Sequence, residues 1–209
     1  MNTLDIIIYI FMFAIGVVLG SFYTLAVYRI PLKQDITHTR SYCPKCNHRL
    51  NFFDLIPVLS YIFLGGKCRY CKEKIRPRYL ILEVLSGIVF LLFTMCLNID
   101  ILSIEYAKIA TLVFGIMFFS TVFIAVGIYK EHKEIQPSVF NFGIISTIIY
   151  MVYLYILKES IYRYIIYIPL LLLLAILNNS KKVHKNVKIV VFITFIVICI
   201  TEIAMVILK

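Results

Sequence analysis

The sequence predicts an all-α polytopic membrane protein of about six transmembrane helices. Three observations lead there. Hydrophobic residues fill 62% of the 209 positions and charged residues only 15%, with a mean hydropathy of +0.94; soluble chains run about 45–50% and about 25%. The apolar residues gather in runs long enough to cross a hydrocarbon core of about 30 Å as helices, the form in which one segment satisfies its own backbone. The charges lie between the runs and are mostly positive, 21 Lys and Arg against 11 Asp and Glu, for a formal charge of +10. A soluble globular domain is excluded.

The first run is Ile6–Tyr28. No basic region precedes it, its early charge is Asp5, and no small-x-small site follows, so it is expected to remain as a membrane helix rather than a cleaved signal. Residues 29–78 come next, the one soluble piece large enough to fold. Five further spans are expected at Tyr79–Leu97, Ile109–Tyr129, Ser138–Leu157, Tyr162–Leu177 and Ile189–Leu208. The fifth of the six is the shortest and is interrupted by Pro169. The expected organisation is thus a first transmembrane helix over 1–28, a loop over 29–78 and a five-helix membrane domain over 79–209.

Charge sets the expected orientation. Residues 29–78 hold 11 Lys and Arg, 130–137 hold two and 178–188 hold four, while Lys108, Lys158, Arg163 and Lys209 fall on the other side. The positive-inside rule puts the N-terminus outside and the basic loops in the cytoplasm. This asymmetry accounts for most of the net charge, calls for no nucleic acid, and can draw the loop onto the anionic headgroups of a lipid bilayer.

The loop carries Cys43-Pro44-Lys45-Cys46 and, 21 residues later, Cys68-Arg69-Tyr70-Cys71. Each C-x-x-C turn aims two thiolates at one ion, and two such turns complete a tetrahedral structural Zn²⁺ site. Lys45, Arg49, Lys67, Arg69 and Lys72 favour the thiolate form. A module this small gains folding free energy directly from metal. Two disulfides or a redox pair are the alternatives, and a reducing cytoplasm disfavours them. His48 can compete as a ligand but is expected to be solvated; Cys96 and Cys199 are expected to be ordinary buried thiols. Between the turns, Leu50-Asn51-Phe52-Phe53-Asp54-Leu55-Ile56-Pro57-Val58-Leu59-Ser60-Tyr61 is unusually apolar. It is either the small core of the loop or a surface that docks on the bilayer or on an apolar substrate.

These residues, taken in order, resemble a family. Gly20-Ser21-Phe22, Arg29-x-Pro31, Arg40-Ser41-x-Cys43-Pro44-x-Cys46, the Asp54–Tyr61 stretch, Gly66-x-Cys68-Arg69-Tyr70-Cys71 and Lys74-Ile75-x-x-Arg78-Tyr79-x-x-x-Glu83 together resemble the N-terminal portion of the type IV prepilin leader peptidase/N-methyltransferases, over about residues 16–90. Thr24 departs locally, where relatives tend to have Asn. The resemblance implies a bacterial inner-membrane enzyme of pilus biogenesis and protein secretion. Such enzymes cleave the leader of type IV prepilins and pseudopilins, then methylate the new N-terminus with S-adenosylmethionine. The cysteine loop is associated with the methylation half.

The peptidase half of the family uses two membrane Asp residues, because two carboxyl groups sharing a proton can activate water and polarise the peptide carbonyl. This chain has no such pair: its Asp residues are Asp5, Asp35, Asp54 and Asp100, and Gly-x-Gly occurs nowhere. Glu131 and Glu134 stand near the place of the first motif and Asn178 and Asn179 near the second. About six spans stand where relatives commonly have eight. N-methylation is therefore expected ahead of leader cleavage. The alternatives are a non-catalytic protein that binds pilin helices or assembly components, and a peptidase with displaced carboxylates at Glu131 and Glu134.

Three further residues are candidates. Glu83, just inside the second span, is a costly intramembrane carboxylate suited to a catalytic base at an amine, or else an interfacial partner of Arg78 or Arg76. Arg29 and Arg78 flank the loop at both junctions and are expected either to bind a carboxylate of cofactor or substrate or to anchor their helices. Glu202 is expected to snorkel from the outer end of the last span.

Overall fold

The computed structural model describes residues 3–99, 105–157, 161–180 and 183–207, without the side chains of 161–165 and 206. Asp100, Lys158, Lys181, Lys182, Leu208 and Lys209 lie outside the described residues. Among the described residues seven helices follow one another: α1 (Thr3–Arg29), α2 (Leu59–Phe63), α3 (Arg78–Leu97), α4 (Tyr106–His132), α5 (Pro137–Ile156), α6 (Ile161–Asn179) and α7 (Lys185–Ile207), with a 3₁₀ turn at Phe52–Asp54. Among the described residues there is no strand, only the isolated bridges Tyr42–Arg49 and Lys67–Lys74. By length and composition α1, α3, α4, α5 and α7 can each cross a membrane. The described apolar stretch of α6, Ile166–Asn179, is shorter. The interruption expected at Pro169 does not occur, because α6 runs through it; membrane helices tolerate the freed backbone group.

Helix ends follow local chemistry. Asp5 in the first turn of α1 and Arg29 in its last complement the helix dipole. Lys133 closes α4 in the left-handed region (φ 58°), its N–H donating to the Tyr129 carbonyl at 2.8 Å. Pro137 then opens α5, where a missing N–H costs nothing.

The chain divides into two compact units, residues 1–95 and 96–209. In the first, α1 and α3 meet backbone to backbone. A Cβ on Gly16 would stand 2.8 Å from the Gly87 Cα, and one on Gly20 would stand 2.8 Å from the Ser86 Cβ and 3.1 Å from the Glu83 Cα. Gly16-x-x-x-Gly20 is the small-residue spacing that permits such approach in lipid. The contact fixes Glu83 against the C-terminal half of α1.

In the second unit α4 packs on α5 and α7, and α6 on α5 and α7. Aromatic side chains fill it: Phe114 stacks on Tyr150 at 4.2 Å, and Phe140 meets Phe195 edge to face at 5.3 Å. Gly143 admits Thr121 and Phe195, whose atoms lie 2.6 and 2.9 Å from where a Cβ would be. Glu202 does not snorkel; it is buried within this unit, on the inward face of α7. Cys199 is buried as expected, whereas Cys96 is exposed, because it falls on the outward face of α3.

Candidate metal centre and adjoining cavity

The two C-x-x-C turns adopt the same backbone course. In the first, the Cys43 N–H donates to His48 at 3.0 Å and the Asn47 N–H to Cys43 at 2.8 Å; in the second, Cys68 donates to Glu73 at 2.8 Å and Lys72 to Cys68 at 3.1 Å. Each turn needs a left-handed residue just after its second cysteine, supplied by Asn47 (φ 54°) and Lys72 (φ 60°). The first cysteine of each turn is buried and the second exposed.

This symmetry brings all four Sγ atoms within 4.8 Å of one another. Cys43 and Cys71 Sγ are 3.9 Å apart, close to the edge of about 3.8 Å in a tetrahedron with metal–sulfur bonds of about 2.3 Å. The four cysteines can hold a metal ion, and none is in a disulfide. Burial opposes ionisation of Cys43, but the amides of Cys46 and Lys45 bring its thiol down to about 7. The Glu73 amide favours the Cys71 thiolate, yet desolvation and the neighbouring thiols push it up to about 11. Four sulfurs this close cannot all carry charge without a cation among them.

His48 is not among the clustered ligands. Its ring stacks on Tyr70 of the other turn at 3.5 Å, and Asn51 donates to the Tyr70 hydroxyl at 2.9 Å. Asp54, its side chain only 2% exposed, accepts Arg69 Nε at 2.6 Å and the Asn51 N–H at 3.2 Å. The Asp54 carboxylate in turn raises the pKa of Arg69. The segment between the turns is thereby tied to the second turn.

A cavity of about 480 Å³, which Pro44 of the first cysteine turn helps to line, opens among α1, the loop and α3. Ser21, Thr24, Tyr28 and Arg29 line it from α1, Asp54 and Tyr61 from the loop, Tyr79 and Glu83 from α3. Arg29 is only 3% exposed. Its guanidinium donates to the carbonyls of Asp35 and Thr39, both at 2.9 Å, and of Arg40 at 3.5 Å. Glu83 is buried, and one carboxylate oxygen accepts the Val58 N–H at 2.8 Å. Val58 sits at φ 61°, ψ −55°, the centre of a γ-turn closed by the Leu59 N–H on the Pro57 carbonyl at 2.6 Å. A β-branched residue there is strained. Arg78 is exposed, its guanidinium 5.1 Å from the Tyr79 ring centre.

The structure thus brings Cys43, Cys46, Cys68 and Cys71 together and sets Arg29 and Glu83 on one cavity wall, while Arg78 begins α3 outside it. Asp54, Tyr70 and Val58 were missed as structural partners. An Asp inside an apolar segment was the available signal for the first; nothing local announces the other two. Glu131, in the last turn of α4, and Glu134, just beyond it, are exposed. Asn179 exchanges amide hydrogen bonds with Asn141 at 3.3 Å, and Asn178 is fully buried.

Comparison with known proteins agrees with this part of the chain. Residues 14–97 match the Bacterial Peptidase A24 N-terminal domain. The prepilin leader peptidase/N-methyltransferase of Vibrio cholerae serotype O1 is 42% identical over 86 residues, which are 37% of this chain and 34% of that protein. The proteins of the same name from Myxococcus xanthus and Bacillus subtilis are each 42% identical, over 81 and 79 residues, covering 39% and 38% of this chain and 24% and 32% of theirs. The matched segment therefore spans about a quarter to a third of the length of these relatives. No solved structure gives a significant match. The match over residues 14–97 takes in the four-cysteine centre and most of the cavity lining, so this part of the chain is similar to the bacterial peptidase A24 N-terminal domain.

Proposed function

We propose that this is a multi-pass protein of the bacterial inner membrane, N-terminus outside and cysteine loop cytoplasmic, that acts on the N-termini of type IV pilins or pseudopilins. N-methylation is favoured over leader cleavage. The observation that carries this reading is the buried Glu83 carboxylate on the wall of a cavity lined by α1, α3 and the cysteine-bearing loop. The relatives' shared name supports the substrate class.

Methyl transfer to an N-terminus needs an unprotonated amine. A carboxylate at the cavity wall can hold the terminal ammonium and take its proton as the nitrogen becomes nucleophilic. Glu83 serves this role: one oxygen is engaged by Val58, which fixes the carboxylate and leaves the other to meet the amine. Volume and lining suit S-adenosylmethionine, with Tyr28, Tyr61 and Tyr79 offering faces to an adenine and Asp54 and Glu83 complementing positive charge. When bound, that cofactor supplies an electrophilic methyl group. Arg29, its donors engaged by backbone carbonyls, ties residues 35–40 to the end of α1. Zn²⁺ on the four cysteines is structural, since four thiolates leave no open coordination position. Leader cleavage has less support, because Glu131 and Glu134 are exposed, whereas the peptidase chemistry needs a desolvated site.

The test is direct. The purified chain, given a mature pilin peptide and labelled S-adenosylmethionine, is expected to label the peptide N-terminus and to leave a prepilin leader intact. Absence of transfer with the metal in place and the fold preserved would leave pilin-helix binding as the reading. Leader cleavage abolished by Glu131→Gln would instead establish displaced carboxylates.

A further inference from the structure

The apolar segment between the cysteine turns does not bury its largest side chains. Phe52 and Phe53, in edge-to-face contact at 5.9 Å, are 77% and 71% exposed. Leu59, Ile62 and Phe63 occupy positions i, i+3 and i+4 of α2, so they share one face, and all three are exposed, Phe63 by 83%. The opposite side is the one that packs: Tyr61 donates to the Ile75 carbonyl at 3.3 Å, and its ring closes on Gly66. A groove of about 470 Å³, lined by Phe53, Ile56, Leu59 and Phe63 with Arg69 at its edge, joins the two exposed clusters. A contiguous apolar patch on so small a module marks an interaction surface.

Three observations select its occupant. The first is level. Glu83 lies five residues into α3, about 7.5 Å along the axis from Arg78, so its bond to the Val58 N–H holds the start of α2 beside the first turns of a membrane-spanning helix. The second is tethering, for residues 29–78 are bounded at both ends by helices long and apolar enough to span. The third is charge: those residues carry 11 Lys and Arg against Asp35, Asp54 and Glu73. Exposed aromatics at the interface level on a basic module complement an anionic headgroup layer with acyl chains beneath it.

We infer that Phe52, Phe53, Leu59, Ile62 and Phe63 form a membrane-docking face that inserts into the anionic surface of the bilayer crossed by α1 and α3. Docking seats the loop at a fixed depth and keeps the cavity mouth beside the headgroups. The inference rests on the multi-pass reading, and the experiment separates the two.

The chain contains no Trp, so one introduced indole reports alone. Phe63→Trp in the full chain, reconstituted into phosphatidylethanolamine vesicles with or without phosphatidylglycerol, is read by emission maximum and by quenching from lipids brominated near the headgroup end of their acyl chains. Phe11→Trp, on the exposed side of α1, is the control for spanning. A blue-shifted Phe63→Trp emission is expected, with bromine quenching about threefold stronger in the anionic vesicles. A quenched Phe11→Trp with a water-exposed, unquenched Phe63→Trp would overturn docking alone. Failure of both would overturn the multi-pass reading and docking with it. Equal quenching in both vesicle types would overturn the anionic-lipid assignment. A blue shift that appears only on adding an apolar transmembrane peptide would assign the face to a protein partner and overturn the proposal.

Discussion

The Glu83 carboxylate accepts the Val58 N–H at 2.8 Å, across 25 residues of chain. This bond joins the second membrane helix to the strained turn that begins α2, and it orients the carboxylate that the proposed chemistry needs. Strain of this kind costs on the order of 1–3 kcal/mol and persists only where the surroundings hold it.

Glu83→Gln should keep the fold, since a carboxamide oxygen still accepts the Val58 N–H, but should lower methyl transfer by about 10²–10⁴-fold through loss of the base. Glu83→Ala should also destabilise the chain by about 1–3 kcal/mol, because a buried amide loses its acceptor. In a Val58→Gly background the cost of Glu83→Ala should shrink by about 1 kcal/mol, glycine being at ease at positive φ. Thermal unfolding in detergent and label transfer measure the two effects; equal activity of wild type and Glu83→Gln would remove Glu83 from the chemistry.

Metal analysis of the purified chain should give one zinc per molecule, and Cys43→Ser with Cys68→Ser should abolish it. Losing zinc should expose the loop to proteolysis while α4–α7 remain protected, since the metal supplies the loop's folding free energy. Iron–sulfur absorbance or mapped disulfides would contradict the assignment.

Cys43 is held at about 7, below its ordinary range, by the amides of Cys46 and Lys45. In the metal-free protein it should alkylate rapidly above that pH and slowly below it, while Cys71, at about 11, lags throughout. The sign for metal follows. Ligands bind as thiolates, so protons compete increasingly as pH falls through 7, and apparent zinc affinity should drop there. Alkylation rates by mass spectrometry and a chelator competition series would show it.

Gly16→Ala places a Cβ 2.8 Å from the Gly87 Cα and the Ser86 carbonyl. Backbone cannot yield as a side-chain tip can, so α1 and α3 must separate, at a cost of about 1–3 kcal/mol. Gly65→Ala is the contrast: its Cβ meets open space, and only its positive φ of 59° opposes it. Comparing the unfolding of the two variants isolates helix approach from backbone preference.

Arg29→Lys keeps the charge and loses the fork. Nη1 meets the Asp35 and Thr39 carbonyls and Nη2 that of Arg40; one ammonium on a shorter stem cannot cover all three, so about 1–2 kcal/mol should be lost with the unmet acceptors. Hydrogen exchange should rise across residues 35–40 and remain unchanged across 68–73.

Much of the architecture was legible in the sequence. Each predicted span overlaps a helix, Ile6–Tyr28 with α1 and Tyr79–Leu97 with α3 among them, because crossing lipid demands a long apolar run whatever its neighbours are. The cysteine centre was legible for a similar reason: C-x-x-C is a local turn, and two turns with one ligand preference need only meet. The site around them was less so. Arg29 suggests an anion binder, yet it holds three carbonyls of its own chain. Glu202 suggests a snorkelling end, yet it faces inward, as no periodicity in so apolar a helix can signal.

What the sequence alone determined, then, is what depends on composition and short spacing: the membrane helices, the basic loop and the four cysteines that can hold a metal ion. Tertiary structure alone decided the partners of Glu83, the stacking of His48 on Tyr70, the backbone contact of α1 with α3, and the outward turn of Phe52, Ile62 and Phe63. Those outcomes belong to residues far apart in the chain, whose pairing follows from how helices approach and where the loop is pinned, and no local pattern encodes that.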